Sequence, residues 1–371
     1  MKINIERNHL LKSLSHVHRV VEKRNTYPIL ANVLIRSDDK NVELRATDLD
    51  IEVSEHISAM IIEQGSTTVP AHTFYEIIRK LNDGSEVELE VIDGQMSISS
   101  GRSKFSLAVL NSDSFPNLKA EEFEHEFTMQ AKDLRELIER TQFAISNEET
   151  RYYLNGIYMH TLSSGGEEIL RAVATDGHRM ARAEIAAPSG ASGMAGIIVP
   201  RKTVSELQKL LDGSSEQVKV QVSNSKICFS IDNVILLSKL IEGTFPDYDR
   251  VTPKDNDKKM LVNRNDFASA VDRVSTIASD RGGRAVKLIV NQGQLELIVT
   301  NPDHGTANEQ LGVEFSDEGF EIGFNARYLL DIITQIRSEN IIFMFNDSGS
   351  PTLVLEEDND SALYVLMPMR V

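Results

Sequence analysis

VELRATDLDIEV at residues 42–53 has two related stretches further along the chain, ILRAVATDGHRMA at 169–181 and LELIVTNPDHGTA at 295–307. In each stretch an apolar strand pattern ends in a threonine followed by an acid or an amide, at Asp48, Asp176 and Asn301. Two further markers recur in the same order: Pro70, Pro200 and Asn325, then Phe115-Pro116, Phe245-Pro246 and Met367-Pro368. Such regular recurrence indicates three copies of one unit, each about 125 residues long. We predict domains at 1–125, 126–252 and 253–371.

Each copy has two segments with the apolar spacing of an amphipathic helix. We predict helices over residues 8–24, 72–83, 131–145, 201–212, 264–284 and 325–337. Asp83-Gly84 and Asp212-Gly213 are predicted to end two of them, because glycine is favoured just past a helix end. Alternating residues 87–91 and 96–98 flank Asp93-Gly94, and residues 218–222 and 227–229 repeat this pattern. Connections this short join antiparallel strands. The predicted class is α+β, with two helices on antiparallel sheet in each copy.

Composition narrows the range of functions. The 371 residues are 41% apolar and 26% charged, which is typical of a globular protein. A single cysteine, Cys228, excludes a disulfide framework and cysteine-built zinc sites, and it favours a reducing cytoplasm. The apolar runs are too short for a membrane-spanning helix, and the first residues do not form the uncharged stretch of a signal peptide. We therefore expect a cytoplasmic protein without a membrane partner.

The charge is unevenly distributed. The formal net charge of −17 argues against tight nonspecific binding of DNA by the whole surface. The six predicted helices are nevertheless positive in sum, so the remaining residues are more acidic than the average. One interpretation is ordinary solvated charge on exposed helices. The other is a mildly basic helical face that keeps a polyanion nearby through weak phosphate contacts.

The most enzyme-like motif is Thr175-Asp176-Gly177-His178-Arg179, in which Asp176 could orient His178 as a general base. The repeat favours another interpretation, because Asp50 and Asp303 replace the histidine while the threonine persists at Thr47 and Thr300. A threonine followed by an aspartate or asparagine is typical of a turn capped by its own side chains. We therefore predict a structural turn and no catalytic residue.

Other candidate sites are weaker. His16 and His18 are two positions apart on a predicted helix and point to different faces, so they make a poor metal pair. The sequence has no Walker loop, dinucleotide glycine motif or HExxH, and we expect no cofactor and no metal. Arg151-Tyr152-Tyr153-Leu154 fits either core packing or surface stacking. The apolar end of the chain, 364–371, fits either a buried strand or part of a binding surface.

Six motifs together resemble the bacterial β sliding clamp family, the processivity subunits of DNA polymerase III. They are RYYLNG at 151–156, ATDGHR at 174–179, VPRK at 199–202, FPDY at 245–248, IGFN at 322–325 and MPMR at 367–370. The resemblance extends in order along the whole chain. It implies a DNA clamp fold, a head-to-tail homodimeric ring around duplex DNA, and loading by an ATP-dependent clamp loader. It also implies a non-catalytic function in which the polymerase is tethered for processive synthesis.

Helix geometry favours a ring of two chains. Helices packed about 10 Å apart place six axes on a circle roughly 19 Å across, which leaves no room for a duplex about 20 Å wide. Twelve helices give a circle of roughly 38 Å and a hole of roughly 28 Å. The resemblance further implies DNA-facing roles for Arg24, Arg79, Tyr153 and Lys202. Glu148 departs from the family pattern beside Tyr152, where glutamine is common.

The resemblance also implies a pocket for a short apolar motif, located between copies two and three. Its partners would be the catalytic subunit of DNA polymerase III, the clamp loader, other DNA polymerases and repair proteins. The matching positions are Leu154, Thr175, Gly177, His178, Arg179, Met180, Pro246, Arg250, Val251, Asn325, Tyr328, Val365, Met367, Pro368, Met369 and Arg370. Met180 replaces a common leucine at similar volume. Gly349 and Pro351 replace larger or hydroxylated residues, and we expect them to loosen one wall.

Two alternatives make different predictions. A hydrolase centred on Asp176 and His178 would lose hydrolytic activity when His178 is replaced by alanine. A monomeric repeat scaffold that binds proteins but not DNA would sediment as a single 41.4 kDa chain rather than as a dimer.

Overall fold

The computed structural model describes residues 1–24, 26–118, 122–212, 216–278 and 284–371. Within these ranges all six predicted helices are present. They are α1 (Arg7–Val17), α2 (Ala71–Lys80), α3 (Ala131–Gln142), α4 (Arg201–Leu211), α5 (Arg264–Ser275) and α6 (Ala326–Ile333). No helix in the described part of the chain has both the length and the apolar character that crossing a membrane requires.

The chain divides into two compact units. The first comprises residues 1–134, 188–191 and 202–240, and the second comprises residues 135–187, 192–201 and 241–371.

The first unit contains two sheets. Its strands are β1 (Lys2–Glu6), β2 (Asn32–Ser37), β3 (Asn41–Thr47), β4 (Ile51–Ser58), β5 (Met60–Glu63), β6 (Gly65–Pro70), β7 (Glu86–Ile92), β8 (Gln95–Ser100), β9 (Ser103–Ala108), β10 (His125–Gln130), β15 (Gln217–Val222), β16 (Lys226–Ile231) and β17 (Val234–Lys239). One sheet has the order β5-β1-β7-β8-β9, and the other has the order β10-β15-β16-β17-β4-β3-β2-β6. The second sheet joins strands of the first two sequence copies through the pairing of β17 with β4.

The second unit also contains two sheets. Its strands are β11 (Gly156–Ser164), β12 (Glu167–Thr175), β13 (Arg179–Ala186), β14 (Ile197–Pro200), β18 (Lys258–Asn263), β19 (Ala285–Asn291), β20 (Gln294–Asn301), β21 (Gly305–Gly312), β22 (Phe320–Asn325), β23 (Asn340–Phe345), β24 (Thr352–Glu356) and β25 (Asn359–Leu366). The sheet orders are β14-β11-β12-β13-β25-β24-β23-β18 and β21-β20-β19-β22. Here β13 pairs with β25, so the last strand of the chain joins the second copy.

The strand pairs described in both units are antiparallel, as the short connections predict. Val87, Leu89, Met96 and Ile98 are fully buried, which confirms the predicted hairpin around Asp93-Gly94. The helices bury one face against these sheets; in α5 the buried residues are Phe267, Ala270, Val271 and Val274. Apolar residues at helical spacing thus cover the apolar face of a sheet, which is how a two-layer α+β unit excludes water from its core.

The repeat markers have structural meaning. Pro70 and Pro200 end strands immediately before α2 and α4, and Asn325 ends β22 before α6. The Asn325 side chain accepts hydrogen bonds from the amides of Arg327 and Tyr328, so it caps the helix that it precedes. The second marker of the repeat is therefore the start of the second helix in each copy.

All six helices end before the predicted residue, by the largest margin in α1 and α5. The pattern over 8–24 continues past Val17 as a 3₁₀ turn at His18–Val20, and Val21 is extended. The His18 ring lies 2.6 Å from the Leu14 carbonyl through Nδ1, a side-chain bond that accompanies this tighter last turn. In the third copy α5 ends at Ser275, and residues 279–283 of the prediction lie outside the described residues. The prediction that Asp83-Gly84 ends α2 is wrong: the helix ends at Lys80 with the extended Leu81 as its C-cap, and Gly84, at φ +68°, lies in the turn that follows. Gly213 lies outside the described residues.

Candidate functional site

The turn between β12 and β13 is built by its own side chains. Thr175 Oγ1 donates to the Arg179 carbonyl at 2.7 Å and accepts from the Gly177 amide at 3.0 Å. Asp176 Oδ1 accepts from the amides of His178 and Arg179, and Asp176 Oδ2 accepts from Arg179 Nε. Asp176 is therefore engaged in closing the turn rather than in orienting the imidazole of His178, and the predicted structural turn is confirmed.

The same turn occurs between β3 and β4. Thr47 Oγ1 donates to the Ile51 carbonyl at 2.8 Å, and Asp48 Oδ1 accepts from the amides of Asp50 and Ile51. In the third copy Asn301 Oδ1 accepts from the Asp303 amide at 2.9 Å. The first copy repeats the turn with its hydrogen bonds intact and without the histidine, so the motif is a structural element, and this observation argues against the hydrolase interpretation.

The two histidines of the first helix also have separate structural partners. His16 Nδ1 lies 2.8 Å from Glu55 Oε2, while the His18 ring stacks on Tyr75 at 3.9 Å between centroids. Burial lowers the pKa of His18, partly offset by its bond to the Leu14 carbonyl. The prediction that these residues do not form a metal pair agrees with this arrangement.

Arg179 holds the turn of the second unit in place. The residue is 8% exposed, and its guanidinium donates to Asp176, to Asp331 of α6 at 2.6 Å and to the Phe143 carbonyl at 2.7 Å. The same group lies over the Tyr328 ring, 4.3 Å from the centroid. A planar cation with several donors is suited to joining elements in this way. Arg179 therefore fixes the turn against α6.

An apolar cavity of about 280 Å³ opens beside this turn. It is lined by Arg151, Tyr153, Leu154, Thr175, Gly177, Arg179, Met180, Pro246, Asp247, Tyr248, Val251, Val365 and Met367. Beneath it lies a buried cluster that includes Leu154, Val173, Met180, Phe245 and Val365. A concave apolar surface with a few polar groups at its edge is typical of a binding site for an apolar side chain.

The floor of the cavity is fixed by Tyr248. Its hydroxyl accepts from Arg171 Nη1 at 3.0 Å and lies 2.9 Å from His160 Nε2. Burial raises the pKa of Tyr248, although the Arg171 guanidinium opposes that rise, so the phenol stays protonated at neutral pH. Tyr158 stacks in parallel on Phe245, 4.8 Å between centroids. These contacts leave the floor preformed rather than dependent on a ligand.

The end of the chain forms another wall. Met367 donates its amide to the His178 carbonyl at 2.9 Å, and Met369 donates to the Gly323 carbonyl at 2.8 Å. Met367 is 40% exposed at the cavity edge, whereas Tyr364, Val365 and Leu366 of β25 are buried. The first part of the tail is therefore a buried strand, whereas its last part lies on a concave surface, and its role in binding stays a prediction.

A second, more polar cavity of about 590 Å³ adjoins the tail. Its lining comprises Glu321, Ile322, Gly323, Ser348, Gly349, Pro368, Met369, Arg370 and Val371. Asp347 Oδ1 accepts from the amides of Gly349 and Ser350, and the Pro351 carbonyl accepts from Asn256. Gly349 lies in this wall, and local hydrogen bonds hold the segment that runs from Asp347 to Pro351.

The predicted pocket residues divide into three groups. The first lines the apolar cavity: Leu154, Thr175, Gly177, Arg179, Met180, Pro246, Val251, Val365 and Met367. The second group adjoins the cavity and comprises His178, Tyr328 and Asn325. The His178 ring stacks against the Tyr328 ring, and Asn325 caps the start of α6. The third comprises Pro368, Met369 and Arg370 in the second cavity, and Arg250, which is exposed and paired with Asp247 at 2.7 Å.

Arg151, Asp247 and Tyr248 line the apolar cavity although the sequence did not assign them to it. Arg151 belongs to RYYLNG, and Asp247 and Tyr248 belong to FPDY. Local sequence patterns do not show which of these side chains line a cavity. Leu154 is buried in the cluster below, whereas Tyr152 is 55% exposed. Core packing and surface exposure thus apply to different residues of the same motif.

The four predicted DNA-facing residues have different surroundings. Arg24 is exposed. Arg79 is exposed on α2 and pairs with Glu76 at 2.7 Å. Lys202, at the start of α4, contacts Glu22 and Asp48. Tyr153 is half-buried and lines the apolar cavity, so the structure places it with the pocket residues. The departing residue Glu148 pairs with Arg151 at 2.7 Å.

Family models match three successive segments of the chain: the N-terminal domain of the DNA polymerase III beta subunit at residues 1–119, its central domain at 128–247 and its C-terminal domain at 249–370. The chain belongs to the DNA polymerase III beta subunit family.

Curated relatives and solved structures agree over the full length. The chain is 48% identical to a beta sliding clamp of Caulobacter vibrioides and 40% identical to that of Escherichia coli K12, each with 100% of both chains covered. It superposes with a TM-score of 0.98 on a sliding clamp from Bartonella birtlesii bound to griselimycin, at 52% identity and full coverage of both chains. The beta subunit from Pseudomonas aeruginosa gives a TM-score of 0.94 at 35% identity, also with full coverage of both. The function is that of a sliding clamp in DNA replication, a processivity factor of DNA polymerase III and not an enzyme.

Proposed function

We propose that two copies of this chain close head to tail into a ring that encircles duplex DNA, and that enclosure rather than adhesion retains the polymerase on its template. The ring is opened by an ATP-dependent loader, and the protein acts in the cytoplasm. Each chain contributes three domains, at 1–125, 126–252 and 253–371. The DNA-facing residues of this proposal are Arg24, Arg79, Lys202 and Tyr153, the last of which also lines the apolar cavity.

Two exposed sheet edges support the ring. In the described part of the chain β9 pairs only with β8, and β21 pairs only with β20. Ser103–Ala108 is almost wholly exposed, and Phe105 within it is 40% exposed. Unpaired strand edges with apolar side chains favour association by strand addition. Because one edge belongs to the first unit and the other to the second, pairing β9 of one copy with β21 of the next uses unlike surfaces and produces head-to-tail contact.

The apolar cavity is the proposed docking site for partner proteins, among them the catalytic subunit of DNA polymerase III, the loader, other polymerases and repair proteins. The cavity has the size of one or two apolar side chains, and its floor is preformed. The second cavity beside Pro368, Met369 and Arg370 extends the surface toward the end of the chain. A short peptide with apolar anchors fits this surface, because preformed sites avoid part of the ordering cost of binding.

Retention on DNA of different topology tests the ring. Loaded with a clamp loader and ATP onto nicked circular plasmid, the protein should stay on the DNA through gel filtration at high salt. It should be lost when the plasmid is cut once after loading. Blocking both ends of the cut plasmid with bound streptavidin should restore retention. Equal retention on circular and linear DNA would contradict enclosure.

Sedimentation distinguishes the ring from a monomeric scaffold. The expected species has twice the 41.4 kDa mass of the chain. Phe105→Lys should shift the population toward monomer, because it places charge on the proposed β9 edge. Ile92→Lys is the matched control, since Ile92 is 54% exposed in the same sheet but lies on β7. An unchanged dimer in Phe105→Lys would exclude β9 as the interface.

A further inference from the structure

Lys202 uses all its hydrogen-bonding capacity within the chain. Its ammonium donates to the Val20 carbonyl at 3.2 Å, to Asp48 Oδ2 at 2.5 Å and to Glu22 Oε1. A lysine ammonium has three donors, so each of them has an acceptor. A residue that faces DNA in the proposed function is therefore neutralised by two carboxylates, and it can contact a phosphate fully only if one acceptor leaves.

The three acceptors are not equally fixed. Val20 contributes a backbone carbonyl. Asp48 is 12% exposed at its side chain, and its other oxygen closes the turn between β3 and β4. The Glu22 side chain is 55% exposed and lies in the segment that follows the first helix and leads to Arg24. Exposed ion pairs contribute little free energy because water screens them. Glu22 is thus the acceptor that a phosphate can replace at the lowest cost.

We propose that Glu22 competes with DNA phosphate for Lys202 and thereby limits how tightly this surface holds DNA. This inference depends on the proposed function, because it takes Lys202 as a DNA-facing residue. When a phosphate oxygen replaces the Glu22 carboxylate, Lys202 keeps Asp48 and Val20 as anchors and one donor turns to DNA. Arg24, two residues after Glu22, is already exposed, so the exchange adds a second cation to the same surface.

The competition suits a protein that must move along its ligand. Each phosphate contact adds to affinity through counterion release, and a strong set of contacts slows movement along the duplex. A carboxylate that returns to Lys202 whenever a phosphate leaves keeps each contact short-lived. Retention then depends on enclosure, while the contact surface stays weak.

Binding of a fluorescent 30-base-pair duplex, measured by anisotropy at several salt concentrations, tests the competition. Glu22→Gln should bind about three- to tenfold more tightly at low salt, and its plot of log K against log salt should be steeper by about one. Glu126→Gln is the matched control: Glu126 is 54% exposed and pairs with Lys219 at 2.8 Å on the strands β10 and β15. Like Glu22→Gln, Glu126→Gln removes one negative charge from the first unit, but it leaves the contacts of Lys202 unchanged.

Three outcomes are decisive against the inference. Equal binding by Glu22→Gln and Glu126→Gln would overturn it and leave the proposed function intact. If the double variant Glu22→Gln/Lys202→Met binds the duplex more tightly than Lys202→Met alone, Lys202 is not the residue for which Glu22 competes with DNA. If the wild-type protein and every variant fail to bind, the inference falls, whereas the proposed ring is judged separately by retention on circular plasmid. Thermal melting of Lys202→Met confirms that it is folded before the comparison, and the Glu22→Gln comparison stands without it.

Discussion

Leu49 and Gly177 occupy the same position in the same turn, and both have left-handed backbone, with φ of +82° and +88°. In each turn the residue follows the aspartate whose side chain accepts the next amides, Asp48 or Asp176. Glycine adopts this conformation without steric cost, whereas a residue with a Cβ is strained. The repeat has therefore kept the hydrogen bonds of the turn and, in the first copy, tolerates strain at an exposed leucine.

Leu49→Gly should relieve that strain. We expect Leu49→Gly to be about 1 kcal/mol more stable toward urea unfolding than Leu49→Ala, because both lose the leucine side chain and only alanine keeps a Cβ at positive φ. The comparison of these two variants separates backbone strain from the packing of a residue that is 38% exposed. Equal stability of the two would show that the turn stores no strain at this position.

Gly177→Ala should impair the cavity. A Cβ at Gly177 would lie 2.6 Å from Arg151 Nη1, and both residues line the apolar cavity. We expect affinity for a fluorescent peptide from the polymerase to fall by about tenfold, which corresponds to about 1.4 kcal/mol. Gly193→Ala is the control, because Gly193 also has positive φ, +71°, but a Cβ there meets nothing within 4 Å. A comparable loss in both variants would assign the effect to the backbone.

Met367→Ala should weaken peptide binding by about tenfold while the dimer persists. Met367 lines the cavity and is 40% exposed, so the substitution removes contact surface without opening the core. Deletion of residues 367–371 should have a larger effect, because it also removes the bonds from Met367 to His178 and from Met369 to Gly323. Met60→Ala serves as the control, since Met60 is 66% exposed in the first unit. If the polymerase peptide binds the truncated protein with unchanged affinity, residues 367–371 are not part of the docking site.

Stability should fall at high pH through Tyr364. Burial raises the pKa of Tyr364 to about 12, although Arg140 opposes the rise, from the usual value of 10.0. Since the folded pKa exceeds the unfolded one, the contribution to stability is complete below pH 10 and is lost as the pH rises toward 12. Urea unfolding of the wild type between pH 9 and 11.5 should show this decline, and Tyr364→Phe should show less of it. Parallel curves would assign the decline to other groups.

Much of the fold follows from the sequence because its signals are local. The Thr-Asp turns are closed by side chains within five residues of the backbone groups they bind: Thr175 donates to the Arg179 carbonyl, and Asp176 accepts from the Arg179 amide. The helices follow from apolar spacing, and the hairpins from alternation around short turns such as Asp93-Gly94. Helix ends are less determined by sequence: α1 stops at Val17 although its apolar spacing continues to Val21.

The sites depend on contacts between distant parts of the chain. Leu154, Pro246 and Met367 line one cavity only because β13 pairs with β25 and brings the last strand beside the second copy. The motif VPRK contains no acidic residue that could pair with Lys202, yet the fold places Asp48 and Glu22 against its ammonium. The sequence by itself determined the threefold repeat, the turns and most of the helices, because these depend on neighbouring residues. Only the tertiary structure decided which side chains share a cavity and which charges are paired, because packing brings together residues that no local pattern relates.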